Sequence, residues 1–199
     1  MTILIKAIVL DFGGVYFTYS RERRLKAFKN KIPSSEKLID RAWSKYIHSY
    51  NTGKISEKEF WKRFRKELGI SISNKELREA ILSVFKPIKG VHIIAERLRK
   101  KIKVGLLTDH SNWLDVLDKM YGVYKNFDEV VVSYKVGIEK PKKKIYELML
   151  RKLKVEPSEV VFIDDDRENT KVARKLGMKT ILFKSSPQLK KELKKLRIL

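Results

Sequence analysis

Apolar and polar positions follow two rhythms along this chain, and the change between them divides it. Residues Ile5 to Asp11 form a short β-branched run that stops at Gly13-Gly14, the pattern of a buried strand running into a tight turn. From about Val15 to Lys86 the spacing turns helical, with Ile39, Trp43, Tyr46 and Tyr50 recurring on one face. Ser56-Glu57-Lys58-Glu59 reads as a capping box ahead of Phe60, Trp61, Phe64 and Leu68. Ser73 to Glu76 reads as a second, ahead of Leu77, Ala80, Ile81 and Val84. Pro87 and Gly90 then punctuate the chain.

Beyond Gly90 helices and strands take turns. A helix carrying Val91, Ile94, Ala95, Leu98 and Ile102 leads into a strand over Lys103 to Thr108. A strand near Glu129 to Ser133 precedes a helix with Ile145, Leu148, Met149 and Leu153. The strand Val160 to Ile163 ends at Asp164-Asp165-Asp166. A short helix closed by Gly177 reaches a strand over Lys179 to Phe183, and Leu189, Leu193 and Leu196 mark a last amphipathic helix. Such alternation predicts βαβ units, a parallel sheet and right-handed crossovers. The expected fold is therefore an α/β core, residues 1–15 and 87–199, with an α-helical insertion over 16–86.

Composition narrows the class. The 43% hydrophobic content of 199 residues suffices for a buried core, and no apolar run approaches the roughly 18 residues of a membrane span. The absence of cysteine removes disulfides, thiolate metal sites and cysteine nucleophiles together, and a cytoplasmic protein without membrane contact is expected. Charge is the unusual feature: 46 Lys and Arg against 24 Asp and Glu give a formal +22. Three readings meet it: a solvated basic surface, a field that steers small anionic substrates, or a nucleic-acid partner. Lys100, Lys101, Lys142, Lys143, Lys190, Lys191, Lys194 and Lys195 fall on the wet faces of expected helices, which favours the first.

Ligands of an open parallel sheet bind beyond the carboxyl ends of its strands. Three expected strands end there in polar groups: Asp11, Thr108-Asp109 and Asp164-Asp165-Asp166, with Lys140 between the third strand and its helix. Carboxylates gathered together repel unless a cation is present, and oxygen ligands without histidine or thiolate suit magnesium. A carboxylate can attack phosphorus, glycines at Gly13 and Gly14 allow backbone N–H groups to approach a phosphate, and a lysine neutralises both partners.

These segments resemble the haloacid dehalogenase (HAD)-like hydrolase superfamily. IVLDFGGV is similar to its first motif, GLLTD to the second, SYKVGIEKPKKKIYE to the third and FIDDDRENTKVARKLGM to the fourth. NTGKISEKEFWKRFRKELGI resembles its helical cap. The resemblance implies a Rossmann-like sheet with the cap inserted after the first strand, and a phosphatase cycle through an aspartyl-phosphate on Asp11. It places Thr108, Asp109, Gly13, Gly14 and Lys140 around the phosphate, and Mg2+ on Asp11, the Gly13 carbonyl, Asp164 and Asp165, with Asn169 in its usual position. A small phosphorylated metabolite is the implied substrate.

One position departs from the pattern. Most phosphatases of the superfamily carry a second aspartate two residues after the nucleophile, as general acid and base; here that position is Gly13. Asp165 and His110 are the nearest substitutes along the chain, although His110 reads as an ordinary exposed loop histidine. Two other functions compete: a 2-haloacid dehalogenase, which the Asp164-Asp165 pair disfavours, and a silent binding protein associated with nucleic acid. The cap aromatics read as packing, while Phe17, Tyr19 and Trp113 flank the motif loops. Substrate identity and oligomeric state stay open.

Overall fold

A computed structural model describes residues 4–29 and 31–199. The strands are β1 (Ala7–Leu10), β2 (Lys103–Thr108), β3 (Glu129–Val132), β4 (Val160–Asp164) and β5 (Lys179–Leu182). They form one parallel sheet in the order β3-β2-β1-β4-β5, with Leu10 of the central strand level with Leu106 on one side and Ile163 on the other. The strands are almost entirely apolar because both faces are covered. Ile8, Leu10, Leu106 and Ile163 enter one hydrophobic cluster. Val9, Leu107 and Phe162 enter a second, with Ile145 and Met149 of a helix over Lys143–Leu153 and Ala173 of a helix over Arg167–Lys175.

Between β1 and the helix Lys89–Arg99 lie four helices, α1 (Arg21–Lys29), α2 (Glu36–Asn51), α3 (Glu57–Leu68) and α4 (Asn74–Leu82). Ser35, Ser56 and Ser73 cap α2, α3 and α4 by accepting backbone N–H bonds. The Ser73–Glu76 box closes in both directions. The Ser56 box closes in one only, because the Glu59 side chain turns to Arg63 at 2.7 Å. Between β2 and β3 a further helix, Trp113–Tyr121, forms where the periodicity singled out nothing. All eight lysines expected on wet helix faces are exposed. Among the described residues no helix is long and apolar enough to cross a membrane.

Phe28 of α1, Trp43 of α2 and Phe60, Trp61 and Phe64 of α3 make one aromatic core with many edge-to-face contacts. Trp113 reaches into it from the sheet side, 5.4 Å from Trp61 and 5.0 Å from Tyr50. Glu57 fixes that junction. Its Oε1 accepts from Trp61 Nε1 and Trp113 Nε1, both at 3.0 Å, and from Arg78 Nε at 2.6 Å. Burial pushes the Glu57 carboxyl up, but Arg78 and the two indoles outweigh it and hold the group below its ordinary value. Glu57→Ala would leave two buried indole donors and a guanidinium without their acceptor. It is expected to lower the unfolding free energy by about 3 kcal/mol, read by urea denaturation, with Glu57→Gln losing less.

Candidate active site

β1, β2 and β4 are adjacent, so their carboxyl ends deliver Asp11, Thr108 and Asp164 to one place. Lys140 arrives from the loop after β3. Its Nζ donates to Asp11 Oδ1 at 2.6 Å and to Asp164 Oδ2 at 2.7 Å, and all three groups are buried. The loop is held by Asp109, whose Oδ1 accepts the Lys140 backbone N–H at 2.9 Å. Asn169 Nδ2 reaches both Asp164 oxygens, at 3.2 and 3.1 Å, and Asp166 caps its helix by accepting from Glu168 N.

The electrostatics show a shortage of positive charge. Burial pushes the Asp11 carboxyl well up, Lys140 pulls it down, and Asp164 and Asp165 add to the upward push. Burial works to lower Lys140, yet Asp11, Asp164 and Asp109 outweigh it and keep the ammonium charged. Asp165 is raised to about 6 by burial and by Asp164, and Asp109 to about 6 by burial despite Lys140. Oxygens of Asp11, Asp164 and Asp165 lie within 4.8 Å of one another. A close, all-oxygen donor set holding more negative charge than one lysine can balance suits a hard divalent cation.

The geometry brings Asp11, Gly13, Thr108, Asp109, Lys140, Asp164 and Asp165 to the wall of one cavity of about 760 Å³. The Thr108 hydroxyl and the backbone N–H group of Gly13 make no hydrogen bond among the described residues, so both are available to an anion.

One expected phosphate contact falls elsewhere. The Gly14 N–H is spent on the Phe17 carbonyl at 2.7 Å, and Gly14 is off the cavity wall. Its part is steric: at φ +91° a Cβ would meet Asp165 Oδ2 at 2.2 Å, so only glycine lets that carboxylate come so close. Asp109 stays on the cavity wall, and its carboxylate also positions the Lys140 loop.

His110 is not the exposed loop histidine the sequence suggests. It packs edge-on against Phe12 and beside Phe85, its Nδ1 meets the Ser111 carbonyl at 3.3 Å, and its buried Nε2 has no partner. Tyr19 and Trp113 line the cavity, whereas Phe17 is wholly buried. The residues that sequence reasoning missed are Ile47, His48, Asn51, Ile81, Phe85 and Arg167, and Trp43, read as packing, also reaches the wall. Most of them sit on the helical segment, where nothing in the periodicity separates a core-facing from a cavity-facing apolar residue.

An aspartate at the end of the central strand is thus answered by a buried lysine and by an acidic cluster on the neighbouring strand. The model of the haloacid dehalogenase-like hydrolases matches residues 5–177, and the chain belongs to that family. The D-ribitol-5-phosphate phosphatase of Bacteroides thetaiotaomicron is 28% identical over 202 residues, 96% of this chain and 97% of that protein. A solved HAD family enzyme from the same organism, in complex with magnesium and inorganic phosphate, superposes with a TM-score of 0.77 at 27% identity. That match covers 91% of this chain and 95% of the other. A sesquiterpene phosphatase of Aspergillus oryzae is 23% identical over 180 residues, 87% of each chain.

The buried His110 has a measurable consequence. Burial lowers its pKa to about 4, against about 6.5 in an unfolded chain. The neutral ring therefore contributes stability that is complete above pH about 6.5 and is lost as pH falls toward about 4, up to about 3 kcal/mol. Thermal melts across that window should fall more steeply for the parent than for His110→Phe, which has no proton to take up.

Proposed function

We propose that the protein is a magnesium-dependent phosphomonoesterase in which Asp11 is the nucleophile. The observation that carries this reading is Lys140 Nζ bonded to both Asp11 and Asp164 at the floor of the cavity. Attack by Asp11 on phosphorus breaks the bond to the alcohol oxygen and forms an aspartyl-phosphate; water then cleaves it and regenerates the carboxylate. Lys140 favours the charged form of Asp11 against burial and offsets the negative charge that develops on the phosphoryl oxygens. The Thr108 hydroxyl and the Gly13 N–H hold those oxygens. Asp11, Asp164, Asp165 and the Gly13 carbonyl are the groups that would hold Mg2+, which supplies the missing positive charge against a phosphate dianion. The relatives named above as phosphatases support the reaction type, and the magnesium–phosphate complex of the structural relative supports the cofactor. Residues 16–86 act as the cap that excludes water from the site.

Chelation of divalent ions should abolish turnover of a phosphomonoester, and Asp11→Asn should lower kcat by about 10³-fold or more; an undiminished rate in EDTA overturns the metal assignment. Position 13 gives a second test. Gly13 is not in the left-handed region, and a Cβ there would sit 3.3 Å from Tyr19 Cβ, so a side chain fits with a small shift. Gly13→Asp should raise kcat on alkyl phosphates by about tenfold or more, because the alcohol needs a proton as it leaves. The rate on 4-nitrophenyl phosphate, whose leaving group needs none, should change little.

A further inference from the structure

The cavity has two unlike ends. Its floor carries the carboxylates, Lys140 and Thr108. The opposite wall is built from Tyr19, Trp43, Ile47, Ile81, Phe85 and Trp113. These are organised pairs: Tyr19 stacks on Phe85 with ring centres 5.2 Å apart, and Trp43 leans on Trp113 at 5.9 Å. Several hydrogen-bonding atoms of this end are already engaged. The Tyr19 hydroxyl accepts from Arg24 at 3.4 Å, Trp113 Nε1 donates to Glu57 at 3.0 Å, and Asn51 Nδ2 donates to the Asp109 carbonyl at 3.4 Å. His48, on the rim, is turned to Glu139 at 3.2 Å. A polyol entering here would give up water around several hydroxyls and find few replacements, which is unfavourable for each one left unpaired. An apolar group would lose nothing of that kind and would bury its surface against rings and branched chains.

From this contrast we infer that the leaving group of the substrate is an apolar alcohol, ring-bearing or branched, and not a sugar or polyol. The inference rests on the phosphatase reading and names the substrate class of that same site. Ile47 is half-exposed at the mouth of the wall, so its replacement tests the wall without opening the core.

The experiment compares kcat/KM, with magnesium, for 2-phenylethyl phosphate against sorbitol 6-phosphate and glycerol 3-phosphate. All three release a primary alcohol, so the chemical step is matched and the difference reports the wall. The phenylethyl ester is expected to be preferred by about tenfold or more, the discrimination ordinary apolar contacts provide. Ile47→Asp should cut that ratio by about tenfold, and Ile47→Leu should restore it. Equal rates, or a preference for either polyol ester, overturn the inference and leave the phosphatase reading intact. Hydrolysis of none of the three overturns the phosphatase reading instead. Calorimetric binding of 3-phenylpropylphosphonate and 3,4-dihydroxybutylphosphonate then judges the wall by itself: tighter binding of the phenyl compound supports the inference, and equal binding or a preference for the diol overturns it.

Discussion

Lys140 Nζ sits between two carboxylates that belong to adjacent strands, 2.6 Å from Asp11 and 2.7 Å from Asp164. Every other feature of the floor follows from making that arrangement tolerable. A buried ammonium is stable only while its partners stay charged and close, and buried carboxylates stay charged only while positive charge is near. The sheet order supplies the closeness, because β1 and β4 are neighbours in register. Asp109 supplies the loop position by accepting the Lys140 N–H, and Asn169 holds Asp164 from the other side. Burial first, and the crowding of neighbouring carboxylates after it, still hold the Asp11 and Asp165 carboxyls above their ordinary values. In the proposed reading that crowding, and not any single carboxylate, is what would let the site receive a cation and a dianionic phosphate together.

The helical segment is fastened to this floor by a few specific contacts at the end of α2. Ser133 Oγ donates to the Asn51 carbonyl at 2.7 Å, Tyr50 meets Asn112, and Asn51 reaches the carbonyl of Asp109. Asp109 therefore links both sides: its side chain places the lysine loop and its carbonyl receives the helical segment. Glu57 makes the second attachment through Trp113. Polar anchors of this kind fix where the apolar wall stands relative to the nucleophile, so specificity and chemistry share a few residues.

The core was legible because its physics is local. A β-branched run ending in an aspartate beside two glycines specifies a buried strand and the turn that follows it, and alternating helix and strand implies a parallel sheet whose ends converge. The lysine was legible only through its resemblance to a motif, since one lysine among so many carries no signal of its own. The wall was not legible. Trp43, Ile81 and Phe85 have the spacing of packing residues, and they do pack; that the same side chains also border a cavity depends on how α2 and α4 lie over the sheet. His110 shows the opposite error. A polar residue in a motif loop reads as exposed, yet the rings of Phe12 and Phe85 close over it. Gly14 was recognised for its conformation, but the reason is the Asp165 carboxylate pressed against it and not a phosphate.

Gly13 ties these threads together. The position faces the cavity, its backbone is one that any residue adopts, and the nearest obstacle is Tyr19, the ring that begins the apolar wall. A carboxylic acid there would stand between floor and wall and bring a polar, hydrated group to the place where the leaving oxygen meets its carbon skeleton. Without it, the Tyr19–Phe85 stack extends the apolar surface toward Asp11. In the proposed reading glycine would exchange a proton donor, whose general-acid contribution is about 10² to 10⁴-fold, for continuous contact with the leaving group. Such an exchange is favourable only where binding energy from a carbon-rich substrate can orient the ester closely against Asp11. A polyol, which draws its binding from hydrogen bonds of which this wall offers few, would meet the loss of the acid without that compensation.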